Sequence, residues 1–123
     1  MAFALPIEFF PGCLAEQFQA VGHLCRETLI SVAQAVYDRE RHRTLDGVEP
    51  STTDAKRMLD AFASVELAGS ENTAFRKVVK AAFDLSNELQ HKRTATFREA
   101  ALNAEATFSA VRIIAIISGR RER

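Results

Sequence analysis

The sequence predicts an all-α fold, an up-down antiparallel four-helix bundle that forms one domain over residues 1–123. Apolar residues recur at spacings of three and four along four segments, which is the period of a helix that buries one face. Short clusters of Gly, Pro and N-capping residues separate these segments. Short connections of this kind are typical of antiparallel helix bundles, and strands are not expected.

The first helix is predicted to begin at Pro11-Gly12 and to run for roughly 30 residues, or about 45 Å. Its polar end is the run Asp38–Arg43, and Asp46-Gly47 and Pro50 then break the chain. His42 lies in this run and is expected to face solvent. The apolar stripe of the helix consists of Leu14, Phe18, Val21, Cys25, Thr28, Val32 and Ala35.

A shorter second helix follows the N-capping residues Ser51–Asp54 and ends at Gly69-Ser70. The third helix extends to about His91. The fourth begins at Thr96, where Thr96-Phe-Arg-Glu99 matches the capping box, and ends at Gly119. The expected inward positions are Ala55, Met58, Leu59, Phe62 and Val65 in the second helix; Phe75, Val78, Val79, Ala82, Phe83, Leu85 and Leu89 in the third; and Phe97, Ala100, Ala101, Ala104, Phe108, Val111, Ile114 and Ala115 in the fourth.

Composition excludes several classes of protein. Hydrophobic residues make up 47% and charged residues 26% of the chain, which is the balance of a folded globular domain rather than a disordered one. The formal net charge is zero, so the whole molecule has no attraction to nucleic acid or anionic lipid, and any polyanion must bind a local basic patch. The two cysteines, Cys13 and Cys25, are too far apart on one helix for a disulfide, which predicts free thiols and a cytoplasmic, soluble protein.

An apolar arm, residues 1–11, precedes the first helix. It contains Phe3, Leu5, Ile7, Phe9 and Phe10, and lacks the basic segment of an export signal. These side chains are too apolar to be left in water. Two interpretations stay open: the arm folds back over the bundle, or it covers a partner, in which case a homodimer is expected.

Polar and basic residues concentrate where the third helix turns into the fourth. Asn87 and His91 are four residues apart, and therefore lie on one helical face where they can contact a common ligand. Lys92, Arg93 and Arg98 place positive charge at the same end. An imidazole beside an amide and cations can accept a proton from a ribose hydroxyl or hold a phosphate. The other interpretation is that these groups only complement the dipole at the helix C-terminus.

At these residues the segment resembles the HEPN family, small helical bundles that include many RNases of toxin-antitoxin and phage-defence systems. The family motif is Arg-Asn-x-x-x-His at the end of a helix that leads by a short turn into the last helix. Asn87 and His91 match it, and the Ala-rich last helix is similar too. The arginine is absent, because positions 84 to 86 are Asp, Leu and Ser. The resemblance covers about 35 residues besides the bundle layout.

The resemblance implies a catalytic pair, His91 as general base or acid and Asn87 as an orienting donor, with Lys92, Arg93 and Arg98 as RNA- or phosphate-binding residues. Arg93, Arg98 or Lys80 would have to replace the missing arginine. The family usually forms its site between two protomers. The expected function is therefore an HEPN-like bundle of a defence or toxin-antitoxin system that binds RNA or a nucleotide. Whether it cleaves RNA is left open, and the alternative is a non-catalytic module that binds a cognate protein partner.

Metal and cofactor chemistry is not expected from this sequence. Glu88 and His91 form one Glu-x-x-His pair, but a di-iron bundle requires a second pair and two further glutamates. There is no Gly-rich phosphate loop and no Ser-His-Asp constellation. The longest apolar run, Ile113–Ile117, is far shorter than the about 20 residues of a membrane span, so no membrane partner is expected either.

Overall fold

A computed structural model describes residues 11–44 and 46–119, with side chains from residue 15 onward. These ranges contain no strand, which confirms the all-α prediction. Four α-helices pack together: α1 (Pro11–Val36), α2 (Ala55–Glu66), α3 (Thr73–His91) and α4 (Phe97–Ile117), with one 3-10 turn at Ser70–Asn72. The predicted arm lies outside the described residues except for Pro11, whose backbone opens α1.

The long helices α1, α3 and α4 all pack against one another, and the shorter α2 packs chiefly against α1 and α3. A smaller apolar cluster forms where α3 turns into α4, around Leu89, Ala95 and Ala100, with Phe18 and Val21 of α1 against it. The main core lies farther along the bundle from this turn. It contains Leu29, Ile30, Ala33, Ala55, Met58, Leu59, Phe62, Val79, Ala82, Ala110 and Ile114.

A close approach at Gly22 fixes the relation of α1 to α3. A Cβ atom at Gly22 would lie 2.7 Å from the Gln90 backbone nitrogen and 2.9 Å from the Leu89 Cβ. One turn earlier, the Gln19 side-chain amide donates a 2.7 Å hydrogen bond to the Lys92 carbonyl. The N-terminal half of α1 therefore lies beside the C-terminal end of α3, and the two helices are antiparallel.

The helix starts follow the predicted capping chemistry. Asp54 caps α2 by accepting a 3.2 Å hydrogen bond from the Arg57 backbone N–H. The predicted capping box at α4 is confirmed: Thr96 Oγ1 accepts from the Glu99 N–H, and Glu99 accepts from the Thr96 N–H.

The end of α1 differs from the prediction. The helix is 26 residues long and stops at Val36, and the next residues form a turn in which the His42 N–H donates to the Asp38 carbonyl at 2.7 Å. His42 was expected in solvent, but it is buried, with 3% of its surface exposed. Its imidazole packs edge-on against Phe62, 5.2 Å between ring centroids, because the turn carries it over the end of α2.

The inward face of α4 is also rotated from the predicted one. The predicted inward residue Phe108 is exposed, as are Phe75 and Leu85 of the predicted α3 face. Apolar residues occur on nearly every side of α4, so their spacing does not determine which side faces inward. The buried residues of α4 are Ala100, Asn103, Thr107, Ala110 and Ile114.

Within the described ranges, α4 is the one helix that is long and apolar enough to cross a membrane, by length and composition only. The sequence analysis did not anticipate this, because it considered only the uninterrupted apolar run Ile113–Ile117. It nevertheless packs against α1 and α3 and carries the polar residues Asn103 and Thr107 on its buried side.

We expect Gly22→Ala to lower the free energy of unfolding by about 1–3 kcal/mol, because the added methyl group must displace the α3 backbone. Alanine has a higher helix propensity than glycine, so the substitution would stabilise an uncrowded position in a helix. A decrease in the free energy of unfolding therefore indicates the close approach. Urea unfolding followed by circular dichroism measures it. The control is Ser31→Ala at an exposed position of α1, which should be neutral or slightly stabilising; equal effects of the two substitutions would contradict the close approach.

Candidate functional site

The predicted site residues lie at the end of the bundle where α3 turns into α4. His91 is the last residue of α3, Lys92 is its C-cap, Arg93 lies in the turn, and Arg98 lies in the first turn of α4. All four side chains are exposed. The turn thus gathers the predicted basic residues on one solvent-facing end of the molecule.

Asn87 and His91 share one face of α3, as their spacing predicts, but they are not joined. The Asn87 Oδ1 accepts a 3.2 Å hydrogen bond from the Gln90 side-chain amide. In the described part of the chain, no hydrogen bond or ion pair holds the His91 imidazole. The structure therefore offers an exposed histidine without a hydrogen-bond partner in the described ranges, and an amide whose oxygen is already engaged.

Lys92 is occupied by a neighbour. Its ammonium pairs with the Glu99 carboxylate, and this contact, together with the Thr96 hydrogen bonds of the capping box, holds the pKa of Glu99 below its ordinary value. Arg93 and Arg98 make no ion pair with any residue in the described ranges. Of the three predicted phosphate-binding cations, these two are therefore the ones left available to a ligand.

The residue directly before Asn87, where the motif has its arginine, is Ser86, which is buried and donates a 2.8 Å hydrogen bond to the Phe83 carbonyl. Asp84, two residues earlier, is exposed and lies 4.0 Å from the Lys56 ammonium of α2. Lys80, one predicted replacement, lies about 16 Å from His91 along the axis of α3 at 1.5 Å per residue, too far to share one phosphate with it. The run 38–43 could have joined this surface if α1 ended near His91; it lies instead at the opposite end, because α1 passes Lys92 at Gln19 and continues to Val36.

A groove between α3 and α4 adjoins this end. It encloses about 410 Å³. At its floor the Asn103 amide is 2% exposed, and neither its nitrogen nor its oxygen has a hydrogen-bond partner in the described chain. The residues that line the groove are Leu85, Glu88, Leu89, Lys92, Glu99, Leu102 and Asn103.

A buried amide with both groups unpaired is energetically unfavourable and points to a ligand or to a role in specificity. Sequence analysis missed Asn103 because the predicted phase of α4 placed it outside the inward face. A signal was present: Asn103 and Thr107 are four apart, in phase with Ala100, Ala110 and Ile114.

A second polar cluster lies at the opposite end of the bundle, and sequence analysis missed it too. The buried His42 accepts a 2.9 Å hydrogen bond from the Asp38 N–H at Nδ1, so its Nε2 donates to Glu66 at 2.8 Å. Arg41 donates to the same carboxylate at 2.5 and 3.0 Å. These hydrogen bonds, from Arg41 first and then His42, hold the pKa of Glu66 below its ordinary value of 4.5.

Both ring nitrogens of His42 are engaged, so this cluster closes the connection between α1 and α2 and leaves no nitrogen for acid-base chemistry. His42 and Glu66 are 24 residues apart, and no local pattern pairs them.

Comparison with known proteins adds no family. No family model, no curated protein and no solved structure matches this chain.

Glu66→Ala is expected to lower the free energy of unfolding by about 1–3 kcal/mol at pH 7, because it leaves the buried His42 N–H without an acceptor. The pKa of Glu66 is depressed in the folded state, so its contribution is fully present above the ordinary pKa of 4.5 and is lost as pH falls through the folded value. Urea unfolding at pH 7 and pH 3 should therefore show a smaller effect of the substitution at pH 3.

The control is Glu49→Ala, which removes an exposed pair with Arg39 at 3.6 Å and should cost about 0–0.5 kcal/mol. A pH-independent difference between Glu66→Ala and the parent protein would exclude the ionised carboxylate as the stabilising group.

Asn103→Leu is expected to raise the free energy of unfolding by about 1–3 kcal/mol, because it removes a buried amide that makes no hydrogen bond and replaces it with a side chain of similar size. Thermal unfolding of the two proteins measures the change. The control is Ser86→Ala: Ser86 is also fully buried but donates to the Phe83 carbonyl at 2.8 Å, so its loss should not stabilise. A destabilised Asn103→Leu protein would show that the amide is satisfied in solution.

Proposed function

We propose that this chain is an HEPN-like, up-down helical bundle that binds RNA, or a nucleotide, through the end that carries His91, Arg93 and Arg98. The proposal places it in the cytoplasm, in a defence or toxin-antitoxin system. The observation that supports it best is that Arg93 and Arg98 stand exposed beside His91 with no carboxylate paired to either of them in the described residues. In a protein of zero net charge, such a local patch is what a polyanion would contact.

The geometry favours binding over cleavage. A general base must be held within hydrogen-bond reach of the proton that it removes, and nothing in the described residues orients the His91 ring. The Asn87 oxygen is engaged by Gln90, and the buried Ser86 stands where the motif has its arginine. A phosphate at this end would be attracted by Arg93 and Arg98 and repelled by Asp84 and Glu88. We therefore propose a degenerate member that has kept binding and lost efficient catalysis.

A homodimer is part of this proposal. Two copies that meet at this end would double its positive potential, which a single pair of arginines supplies only weakly. The alternative function, a non-catalytic module for a cognate protein partner, is supported by a different observation: Leu24 of α1 and Phe108 of α4 expose most of their apolar surface to solvent.

Replacing Arg93 and Arg98 together with alanine should weaken binding of a fluorescein-labelled single-stranded RNA by about 10- to 100-fold at low salt, because two phosphate contacts and their released counterions are lost. Fluorescence anisotropy over a salt series measures it. The slope of log affinity against log salt should become shallower by about 1.4, or about 0.7 for each contact.

The matched control replaces Arg39 and Arg43, which makes the same change in net charge at the opposite end of the bundle and should leave RNA affinity unchanged. Equal losses in the two double variants would mean non-specific attraction and would exclude a defined site. Metal-independent cleavage of the RNA by the parent protein, abolished by His91→Ala, would overturn the non-catalytic interpretation.

A further inference from the structure

The outer side of α3 carries a second apolar seam, one residue out of step with the residues that the helix buries. Val78 and Leu85 of this seam leave 37% and 40% of their surface in solvent. Successive members are four, three and four residues apart, which is the spacing of a helix that packs along another helix. No described element covers them. The outer seam consists of Ala74, Val78, Ala81 and Leu85, all exposed, and the buried residues of α3 are Val79, Ala82, Ser86 and Leu89.

The outer seam alternates small and large side chains. A helix that packs tightly on it must place a large residue opposite each alanine and a small residue opposite Val78 and Leu85, so that the layers interdigitate. The same seam in the reverse direction has this order, because it begins with the large Leu85 and ends with the small Ala74. The outer side of α3 is therefore complementary in shape to an antiparallel copy of itself.

We propose that two copies of this chain pair through the outer seam of α3, antiparallel about a two-fold axis that passes between positions 79 and 80. In this register Ala74 of one copy faces Leu85 of the second copy. Val78 of one copy likewise faces Ala81 of the second copy, and the two-fold axis repeats both contacts. Each of the four layers thus joins one small side chain to one large one.

The charges beside the seam select the same register. Lys77 and Asp84 each directly precede a large seam residue, so both flank the seam on one side. In the proposed register Lys77 of each copy lies beside Asp84 of the other, which gives two ion pairs across the interface. A shift of one heptad in either direction would instead bring two Lys77 or two Asp84 side chains together.

Both charges are accessible for this contact. Lys77 is exposed and makes no ion pair among the described residues. Asp84 is half exposed, and the Lys56 ammonium approaches only its Oδ1, at 4.0 Å. A parallel pair of α3 helices would use neither feature, because it sets Leu85 against Leu85 and leaves Lys77 beside the uncharged Ala82.

This contact goes beyond the proposed function and does not depend on it. It lies along the side of α3, and it holds the two His91 residues of a pair about 35 Å apart along the helix axis, at 1.5 Å per residue. It is therefore separate from the contact between basic ends that the proposed function includes. A chain that used both contacts would form assemblies larger than a dimer, and loss of the α3 contact would leave only the pair joined at the basic ends.

Two charge reversals test the proposal. Lys77→Asp leaves only acids at the flanking positions and Asp84→Lys leaves only lysines, so each variant repels its own copy across the α3 contact. In an equimolar mixture the two introduced residues face each other, and the unchanged Asp84 of one variant faces the unchanged Lys77 of the other. By sedimentation at low salt, we expect each variant alone to associate at least about 10-fold more weakly than the parent protein, and the mixture to regain the parent's affinity.

Ala81→Gln tests the packing of the same seam. The larger side chain stands at an exposed helical position, so it should leave the circular dichroism unchanged and abolish the α3 contact. The matched control is Ala20→Gln, at an exposed alanine of α1, which should leave association unchanged.

Three results would overturn the proposal. The first is a parent protein that stays monomeric at its highest soluble concentration. The second is a mixture of the charge-reversed variants that associates no more strongly than either variant alone. The third is association that Ala20→Gln weakens as much as Ala81→Gln does. None of these results would bear on RNA affinity, which the substitution of Arg93 and Arg98 tests separately.

Discussion

The close approach of α1 and α3 at Gly22 sets the positions on which the rest of the structure depends. With no side chain at this residue, the α1 backbone reaches Leu89 and Gln90 directly. The Gln19 amide then binds the Lys92 carbonyl and so satisfies one of the unpaired acceptors at the end of α3. The last turn of α3 and the start of the turn into α4 are thereby fixed against α1. The basic end of the molecule is thus presented from a backbone that is held against α1, while the Arg93 and Arg98 side chains make no ion pair among the described residues.

α4 buries two polar residues and exposes several apolar ones. Asn103 and Thr107 are buried beside Ala100, Ala110 and Ile114, while Leu102, Phe108 and Ile116 face solvent. Both departures from the usual amphipathic pattern are unfavourable, the first through unpaired buried groups and the second through apolar surface in water. The grooves that flank α4, one against α3 and one against α1, are therefore the surfaces where further contacts would be stabilising.

The sequence predicts well what depends on local chemistry. The capping box at Thr96 and the end of α3 at His91 agree with the structure because a few adjacent residues decide them. The phase of α4 was wrong because its apolar residues cover several faces, and only packing against α1 and α3 selects one of them. His42 was misplaced for a related reason, since its burial depends on Glu66 and Phe62 of α2, which no local pattern connects to it.

Of the candidate site, the sequence predicts which residues gather but not how they are engaged. Chain order alone places His91, Lys92 and Arg93 together, and the short turn brings Arg98 to them. That Lys92 is paired with Glu99 and that Asn87 turns toward Gln90 are outcomes of rotamer choice in three dimensions. These two contacts change the chemistry that the motif implies, because they remove one cation and one orienting group from it.

Among the described residues, the histidine that is held in place and the histidine that is accessible are two different residues. Catalysis by general acid and base needs a titratable group that is both accessible to substrate and held by its surroundings, in a site that excludes water. His42 is held, by Asp38 and Glu66, but has no free nitrogen; His91 is accessible but is held by nothing in the described residues. The unpaired buried groups, Asn103 and Thr107, are an amide and a hydroxyl with neither an acid nor a base beside them in hydrogen-bond contact. Within the described residues, the histidine that is firmly held is therefore closed to a ligand, and the histidine that a ligand can reach is not oriented.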